Sequence, residues 1–187
     1  MAALITLAAA KAYLGVTTDT QDALITQLIT SASAAMANYC NRTLASAPRS
    51  DALSGRGKPV IELREWPVTE VSSVIVDGVQ VPASPYMLSP GWRMVDDRLL
   101  ALSSAYIPRV GLGNVQVAYT AGYTPGTIPD DLQAACLQEV LRMYKRRDKI
   151  GVASEGLAGQ SVSYRSDGLT EYTTQVLASY RRVTWPT

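Results

Sequence analysis

The sequence predicts an α+β chain that is mainly α, with about four helices and a small inserted antiparallel β element. Two observations support this fold class. Apolar residues recur with a period near 3.6 before residue 45 and again after residue 128, which is typical of amphipathic helices. Between about residues 60 and 120, short Val-rich runs are separated by Gly and Pro, which indicates strands and turns. At 187 residues, the chain is expected to form a single domain, 1–187.

Two helices are predicted before residue 45. Thr6 suits the N-cap of the first helix, about 6–15, because its hydroxyl can accept a hydrogen bond from a free backbone N–H. Gly15 suits the C-terminal end of that helix. The second helix, about 20–42, carries a clear amphipathic stripe. The stripe consists of Leu24, Ile25, Leu28, Ile29, Ala32, Met36 and Tyr39.

A β-rich insertion is predicted at about 60–120. The segment 45–59 before it is rich in Ser, Gly, Pro and Arg, and we interpret it as a loop. Within the insertion, Asp77-Gly78 separates two Val-rich runs, 74–76 and 79–81, and this dipeptide predicts a hairpin with a type I′ turn. A later strand with one buried face is indicated by the alternating apolar residues Val115, Val117 and Tyr119.

The third predicted helix, about 129–149, begins at Pro129, with two Asp residues where the helix dipole favours negative charge. Its apolar residues cover about half of the helix circumference, so it should pack against several neighbours. The opposite arc carries a basic stripe that consists of Arg142, Lys145, Arg146 and Lys149. The stripe is either a solvated helix face or, if many copies form a ring, a channel surface suited to DNA without sequence readout.

The end of the chain is predicted to be less regular. The Gly- and Ser-rich segment 151–168 is interpreted as a flexible loop or, because the residues at 161–164 alternate, an edge strand. A short fourth helix, about 170–181, follows, because its apolar residues keep helical spacing. The last residues, 182–187, form a C-terminal tail.

The residues for common catalytic mechanisms are missing from the sequence. There is no histidine, so the usual general base, the Ser-His-Asp arrangement and the commonest zinc ligand are absent. The paired carboxylates at 96–97 and 130–131 should point in different directions, because adjacent residues on a strand or helix do. The glycine-rich segments 55–58 and 111–113 lack the spacing of a phosphate-binding loop and are interpreted as turns. We therefore expect no enzyme, no cofactor and no metal site.

Charge and hydropathy restrict the kind of partner. The chain has 17 basic and 16 acidic residues, a net charge of +1, so no global field draws it to nucleic acid or acidic membranes. No run approaches the roughly 20 apolar residues that span a bilayer. Cys40 and Cys136 lie on predicted helices, where a thiol usually serves as a small buried hydrophobe. We therefore expect an intracellular protein with no membrane partner.

Several short strings follow one another in a characteristic order along the chain. They are ITLAAAKAYL at 5–14, DALI at 22–25, YCNR at 39–42, WPV at 66–68, VSSV at 71–74, VAYTAGY at 117–123, IPDDL at 128–132, SEG at 154–156, SVSY at 161–164 and LASYR at 177–181. In order and spacing they resemble the head-tail connector proteins of long-tailed bacteriophages, also called adaptor or head-completion proteins. The resemblance does not extend to 45–59 or 82–91.

This resemblance implies a helical bundle with an inserted β element and a structural role in the virion, at the junction of capsid and tail. Connector subunits of this kind form a ring of about twelve copies under the portal protein. The ring extends the channel for the genomic DNA and is the docking platform for the next neck, stopper or tail protein. The subunit would be made in the host bacterial cytoplasm. Its portal or oligomer contacts would include Tyr172, Tyr180, Arg181, Arg182 and Trp185.

Two alternatives stay open at this point. The chain is another neck or tail-completion protein with a similar mixture of helices and strands, or it is a small sequence-independent DNA-binding module that uses the basic stripe directly. A monomeric DNA-binding module predicts binding to duplex DNA with a steep salt dependence.

Overall fold

The computed structural model describes most of the chain. The described residues are 3–86, 89–147, 154–157, 160–163 and 168–182, and for 154–157 and 160–163 the backbone alone is described. The chain divides into two compact units: a helical unit, Met1–Arg42 with Pro125–Thr187, and a β unit, Thr43–Thr124. That both units together form one domain stays a prediction.

The described part of the helical unit contains four α-helices. They are α1 (Leu7–Leu14), α2 (Asp22–Cys40), α3 (Asp130–Arg146) and α4 (Glu171–Ala178). Two threonines cap helix starts: Thr6 Oγ1 accepts a hydrogen bond from the Ala9 N–H (3.2 Å), and Thr170 Oγ1 accepts one from the Thr173 N–H (3.3 Å). Helix α1 ends at Gly15, whose φ of 71° is left-handed and favours a residue without Cβ. All four helices lie within the spans that the sequence predicts.

Helices α2 and α3 supply most of the core of the helical unit. Helix α2 packs against α1, α3 and α4, and α3 also packs against α4. Burying one large apolar side chain stabilises a fold by about 1.5–3 kcal/mol, so the facing stripes of these helices hold the unit together. The buried apolar residues of the two helices are Ile25, Ile29, Ala32, Met36, Cys40, Leu132, Ala135, Cys136 and Val140.

The described part of the β unit, 43–86 and 89–124, contains two antiparallel sheets. Their strands are β1 (Ala47–Gly55), β2 (Val60–Glu62), β3 (Val68–Val76), β4 (Val79–Gln80), β5 (Trp92–Met94), β6 (Leu99–Leu102) and β7 (Gly111–Ala121). The first sheet has four strands in the order β1-β7-β3-β4, and the second has three in the order β2-β6-β5.

The predicted hairpin and the predicted strand with one buried face are both confirmed. Strands β3 and β4 pair through Val76 and Val79, and the turn residues Asp77 and Gly78 have φ values of 50° and 82°, as a type I′ turn requires. The alternating residues of β7 point into one core with residues of both sheets. The buried members of this core are Leu63, Val74, Val76, Val81, Leu100, Leu102, Val115, Val117, Tyr119 and Ala121.

The fold class predicted from the sequence is wrong. A mainly α chain, in which a helical bundle carries a small β element, does not describe the structure, because seven strands in two antiparallel sheets make up one of its two compact units. The chain is a β-rich α+β protein. The sheet begins at Ala47, in the segment 45–59 that the composition indicates to be a loop.

Polar residues on the half-buried face of β1 explain why this strand is not visible in the sequence. Alternate residues of β1 are half-buried, and they include Arg49 and Asp51. Asp51 Oδ2 accepts a hydrogen bond from the Tyr119 hydroxyl (2.7 Å), and Arg49 donates one to the Thr43 hydroxyl. Because Arg49 and Asp51 occupy two of the inward positions, β1 lacks the apolar alternation by which a strand is recognised.

The segment predicted to be a flexible loop or an edge strand, 151–168, lies partly outside the described residues. Its described parts form an antiparallel hairpin of β8 (Ser154–Leu157) and β9 (Gln160–Ser163), in which Ser154 is opposite Ser163.

Candidate interaction surfaces

The basic stripe of α3 is partly neutralised by a carboxylate on the same helix. The Arg142 Nε donates a hydrogen bond to Glu139 Oε2 over 2.7 Å. Lys145 is exposed and Arg146 is half-buried, while Lys149 lies outside the described residues. The stripe therefore contains Arg142, whose guanidinium is paired with Glu139, and the exposed Lys145.

Glu139 links α3 to the start of α4. Its side chain is fully buried, and its Oε1 accepts a hydrogen bond from the backbone N–H of Thr170 over 2.7 Å. Burial by itself raises the pKa of this carboxyl group, but hydrogen bonds from Thr170, Arg142 and Thr173 outweigh it, so the pKa is lowered. Glu139 is therefore a buried charged group that holds the N-terminus of α4.

Sequence reasoning missed Glu139, although a signal was present. Glu139 stands seven residues, about two helical turns, after the buried Leu132, so it lies close to the apolar arc of α3. A carboxylate at such a position needs hydrogen-bond partners from another segment. The partner Thr170 is 31 residues further along the chain, and the sequence alone does not identify it.

The predicted portal contacts at the end of the chain differ in their availability. Tyr172 is 42% exposed. The Tyr180 hydroxyl donates to the Asp131 carboxylate (2.8 Å) on α3, and the Arg181 guanidinium lies over the Tyr39 ring, 5.6 Å from its centroid.

The remaining two predicted portal contacts are Arg182 and Trp185. The Arg182 backbone N–H donates to the carbonyl oxygen of Cys40 (2.8 Å), whereas Trp185 lies outside the described residues. The side chain of Tyr180 and the backbone of Arg182 thus also tie the segment after α4 to α2 and α3.

An open groove of about 600 Å³ lies in the helical unit. It is formed by α2, α3 and the first residues of α4 with the segment before it. Among the described lining residues, Arg142 is charged, and it is paired with Glu139. The lining residues are Ala35, Tyr39, Arg142, Met143, Gly168, Leu169 and Thr174.

One end of the four-stranded sheet presents apolar and basic side chains to solvent. We call this surface the sheet tip. It consists of Arg56, Lys58, Val79, Arg109, Val110 and Leu112, all of them exposed. The exposed fractions are 84% for Val110 and 94% for Leu112. The sequence indicates only turns at 55–58 and 111–113 and gives no sign that they meet.

The described residues offer little for catalysis. Burial raises the pKa of both the Cys40 and the Cys136 thiol to about 11, so both stay protonated at neutral pH. Within the described ranges, no three His, Cys, Asp or Glu residues are placed to hold a metal ion. In the same ranges, no helix is long and apolar enough to cross a membrane.

Comparison with known proteins decides the family. The sequence pattern of the head completion protein family matches residues 3–183, nearly the whole chain. The chain belongs to the head completion protein family. No curated protein is significantly similar to it in sequence. The family resemblance seen in the sequence is thereby confirmed.

Solved structures with the same fold come from gene transfer agent particles. A chain in the neck of an empty particle, with C6 symmetry, is 22% identical with a TM-score of 0.62, over 98% of this chain and 92% of that chain. A chain in the virion of the native particle is 20% identical with a TM-score of 0.61, over the same shares. A chain in the native neck, with C12 symmetry, is 21% identical with a TM-score of 0.58, over 100% and 95%. At these identities the likeness concerns the fold.

Proposed function

We propose that this member of the head completion protein family is a structural, non-enzymatic subunit of the neck between the head and tail of a phage-like particle. The observation that carries the proposal is the family match over residues 3–183. The shared fold with chains from the neck of gene transfer agent particles supports it. The protein would be made in the bacterial cytoplasm and would act in the virion, at the capsid–tail junction.

The proposed assembly is a ring of about twelve copies under the portal protein, in which both units of the chain work as one connector domain. Support comes from the neighbouring neck structures, which have C6 and C12 symmetry. Such a ring would extend the DNA channel and provide the docking platform for the next neck, stopper or tail protein. The same fold similarity suits other neck positions, so a tail-completion subunit is the second candidate.

Within this ring, we assign the basic stripe to the DNA channel. Lys145 is exposed, and about twelve copies of it with Arg146 and Lys149 would add up to a strong annular field. A field of this kind holds phosphates without reading sequence, which suits DNA that must pass. Arg142 contributes less, because its guanidinium is paired with the buried Glu139.

The end of the chain is the proposed contact with the portal or with neighbouring copies. Tyr172 and Trp185 are the side chains proposed to be buried in that contact, since aromatic residues often anchor interfaces. Tyr180, Arg181 and Arg182 would act at its border, because they already make contacts with α2 and α3.

Mixing the purified full-length chain with its portal protein tests the assembly. Electron microscopy should show a symmetric ring on one end of the portal, and particles made without the chain should have filled or leaking heads without tails. If neither a ring nor a tail defect appears, the proposed function is wrong. A tail defect without a ring on the portal would favour a different neck position.

Charge reversal tests the channel assignment separately. Lys145→Glu should leave the ring intact but reduce the retention of packaged DNA, because it places a ring of negative charge near the phosphates. Arg93→Glu is the matched control, since Arg93 is an exposed cation on β5. Equal DNA retention in the two variants would contradict the channel role of Lys145.

A further inference from the structure

We propose that the sheet tip is a docking surface for a protein partner whose contacting segment combines acidic and apolar residues. The first ground is exposure. Val110 is 84% and Leu112 is 94% exposed, so neither is covered by the chain's own core. Val79, 55% exposed, begins the short edge strand β4 at the same end of the sheet. Covering such apolar side chains on binding favours a complex, because it removes them from water.

The second ground is a polar clamp that holds the tip in shape. The Asn114 side chain accepts a hydrogen bond from the Gly55 N–H (2.7 Å) and donates to the Arg109 carbonyl (2.9 Å) and to Asp77 Oδ1 (2.6 Å). One amide thus joins the end of β1, the loop before β7 and the β3–β4 turn.

Asp77 completes the clamp. Its Oδ2 accepts a hydrogen bond from the Arg109 N–H (3.0 Å), and this bond, with that from Asn114, lowers the pKa of the carboxyl group. The backbone on both sides of Val110 and Leu112 is therefore fixed before any partner binds. A rigid apolar projection loses little conformational entropy on binding, which favours a docking role.

The third ground is charge. The tip carries three exposed cations, Arg56, Lys58 and Arg109. The carboxylate beside it, Asp77, accepts hydrogen bonds from the Arg109 N–H and from Asn114. A surface of this sign fits an acidic partner. Gly57, between the first two cations, lies beside Val110, since a Cβ there would be 3.8 Å from Val110 Cγ2. Apolar and basic groups therefore form one continuous surface.

A protein fits this surface better than DNA does. Phosphates are bound through cations and backbone N–H groups, and two almost fully exposed aliphatic side chains add nothing to that contact. A symmetric contact with the tip of a second copy would bring like charges together. An acidic segment with apolar side chains can pair with the cations of the tip and also cover its aliphatic side chains. The inference goes beyond the proposed neck role, because it holds whether or not the chain forms a ring.

The docking surface is tested by photocrosslinking, carried out in the cells that naturally make the chain so that its partner is present. The photoreactive p-benzoylphenylalanine replaces Leu112 in the full-length chain, and in a control it replaces Val95, which is 52% exposed away from the tip. We expect the Leu112 probe to link to one segment of another protein, rich in Asp or Glu with apolar residues, and the Val95 probe not to do so. Links to DNA, links to a second copy, links shared with the control or no links would each overturn the proposal.

The linked segment, made as a peptide, gives the quantitative test. The double substitution of Val110 and Leu112 by Ser should weaken its binding at least about fivefold, as for anchoring side chains in interfaces. Arg109→Glu should weaken it most at low salt, because salt screens surface charge. Val95→Ser should leave the affinity unchanged, and circular dichroism should show that all variants are folded. Equal affinity for the Val110/Leu112 variant and Val95→Ser would overturn the proposal.

Discussion

Replacing Glu139 by Ala should destabilise the helical unit strongly. The substitution removes the acceptor of two short hydrogen bonds, from the Thr170 N–H and from Arg142 Nε, both 2.7 Å. A hydrogen bond to a charged group contributes about 1.5–3 kcal/mol. Arg142 keeps 25% of its side-chain exposure and so recovers some hydration, which places its part at the low end. We therefore expect a loss of about 3–4.5 kcal/mol in the free energy of unfolding.

Comparison with Arg142→Ala separates the two bonds. This variant leaves the Glu139 carboxylate with the Thr170 N–H, so it should lose only about 1–2 kcal/mol. The double variant should lose less than the sum of the single losses, because the two side chains share one interaction. Urea unfolding at pH 7 measures all three free energies. Hydrogen exchange of the amides at 170–174 should accelerate more in Glu139→Ala than in Arg142→Ala.

The pH dependence gives a second test of the same reasoning. The pKa of Glu139 is lower in the folded chain than in the unfolded one, so its contribution to stability is present above the ordinary glutamate pKa. That contribution is lost as the pH falls through the lowered pKa of the folded state. The stability difference between wild type and Glu139→Gln should therefore shrink between about pH 5 and the acid limit of folding. A difference that is constant with pH, or a loss below about 1 kcal/mol in Glu139→Ala, would refute the role of this carboxylate.

Three further outcomes follow from the structure. Gly55→Ala should lower the stability of the β unit by about 2–3 kcal/mol in urea unfolding, since the new Cβ would lie 2.1 Å from the Arg109 carbonyl oxygen; an unchanged midpoint would contradict the close approach. Tyr180→Phe should cost about 0.5–1.5 kcal/mol in thermal unfolding, because its hydroxyl donates to the Asp131 carboxylate at an exposed site, where water competes for the bond; an unchanged melting temperature would contradict this. Cys40 and Cys136 should react with a thiol reagent at neutral pH only after unfolding, because both are buried with a pKa of about 11; rapid labelling of the native chain would contradict this.

Local sequence signals locate the helices because each signal lies within the helix it predicts or directly beside it. Thr6 and Gly15 delimit α1, and the stripe that contains Ile25 and Met36 faces the core as its spacing predicts. The hairpin at Asp77-Gly78 is equally local, because left-handed backbone at both positions selects these residue types. No local signal shows the size of the β unit, because its sheet depends on pairing between strands that are distant in the sequence, such as β1 with β7. The bundle architecture inferred from the resemblance is wrong because it leaves this unit too small.

The candidate surfaces depend on contacts between distant segments. The clamp at the sheet tip joins residues 55, 77, 109 and 114, and no motif connects them in the sequence. Likewise, the basic stripe of α3 has the predicted residues, but the sequence does not show that Arg142 is paired with a buried carboxylate. Residue type and spacing therefore identify which side chains are charged, whereas the fold decides which charges are available to a partner.

In each unit, one polar side chain fixes the element next to a candidate surface. Glu139 holds the start of α4, close to the groove lined by Arg142 and Thr174, and Asn114 holds the backbone from which Leu112 projects. A substitution at either position changes both stability and surface geometry. A binding defect in such a variant can therefore come from lost stability or from a lost contact. It is assigned to a lost contact only when an exposed substitution in the same surface has the same effect and leaves stability unchanged. For the sheet tip, the Ser substitutions at 110 and 112 are suitable controls. The side chains of Val110 and Leu112 are 84% and 94% exposed, so shortening them should leave the stability of the core unchanged.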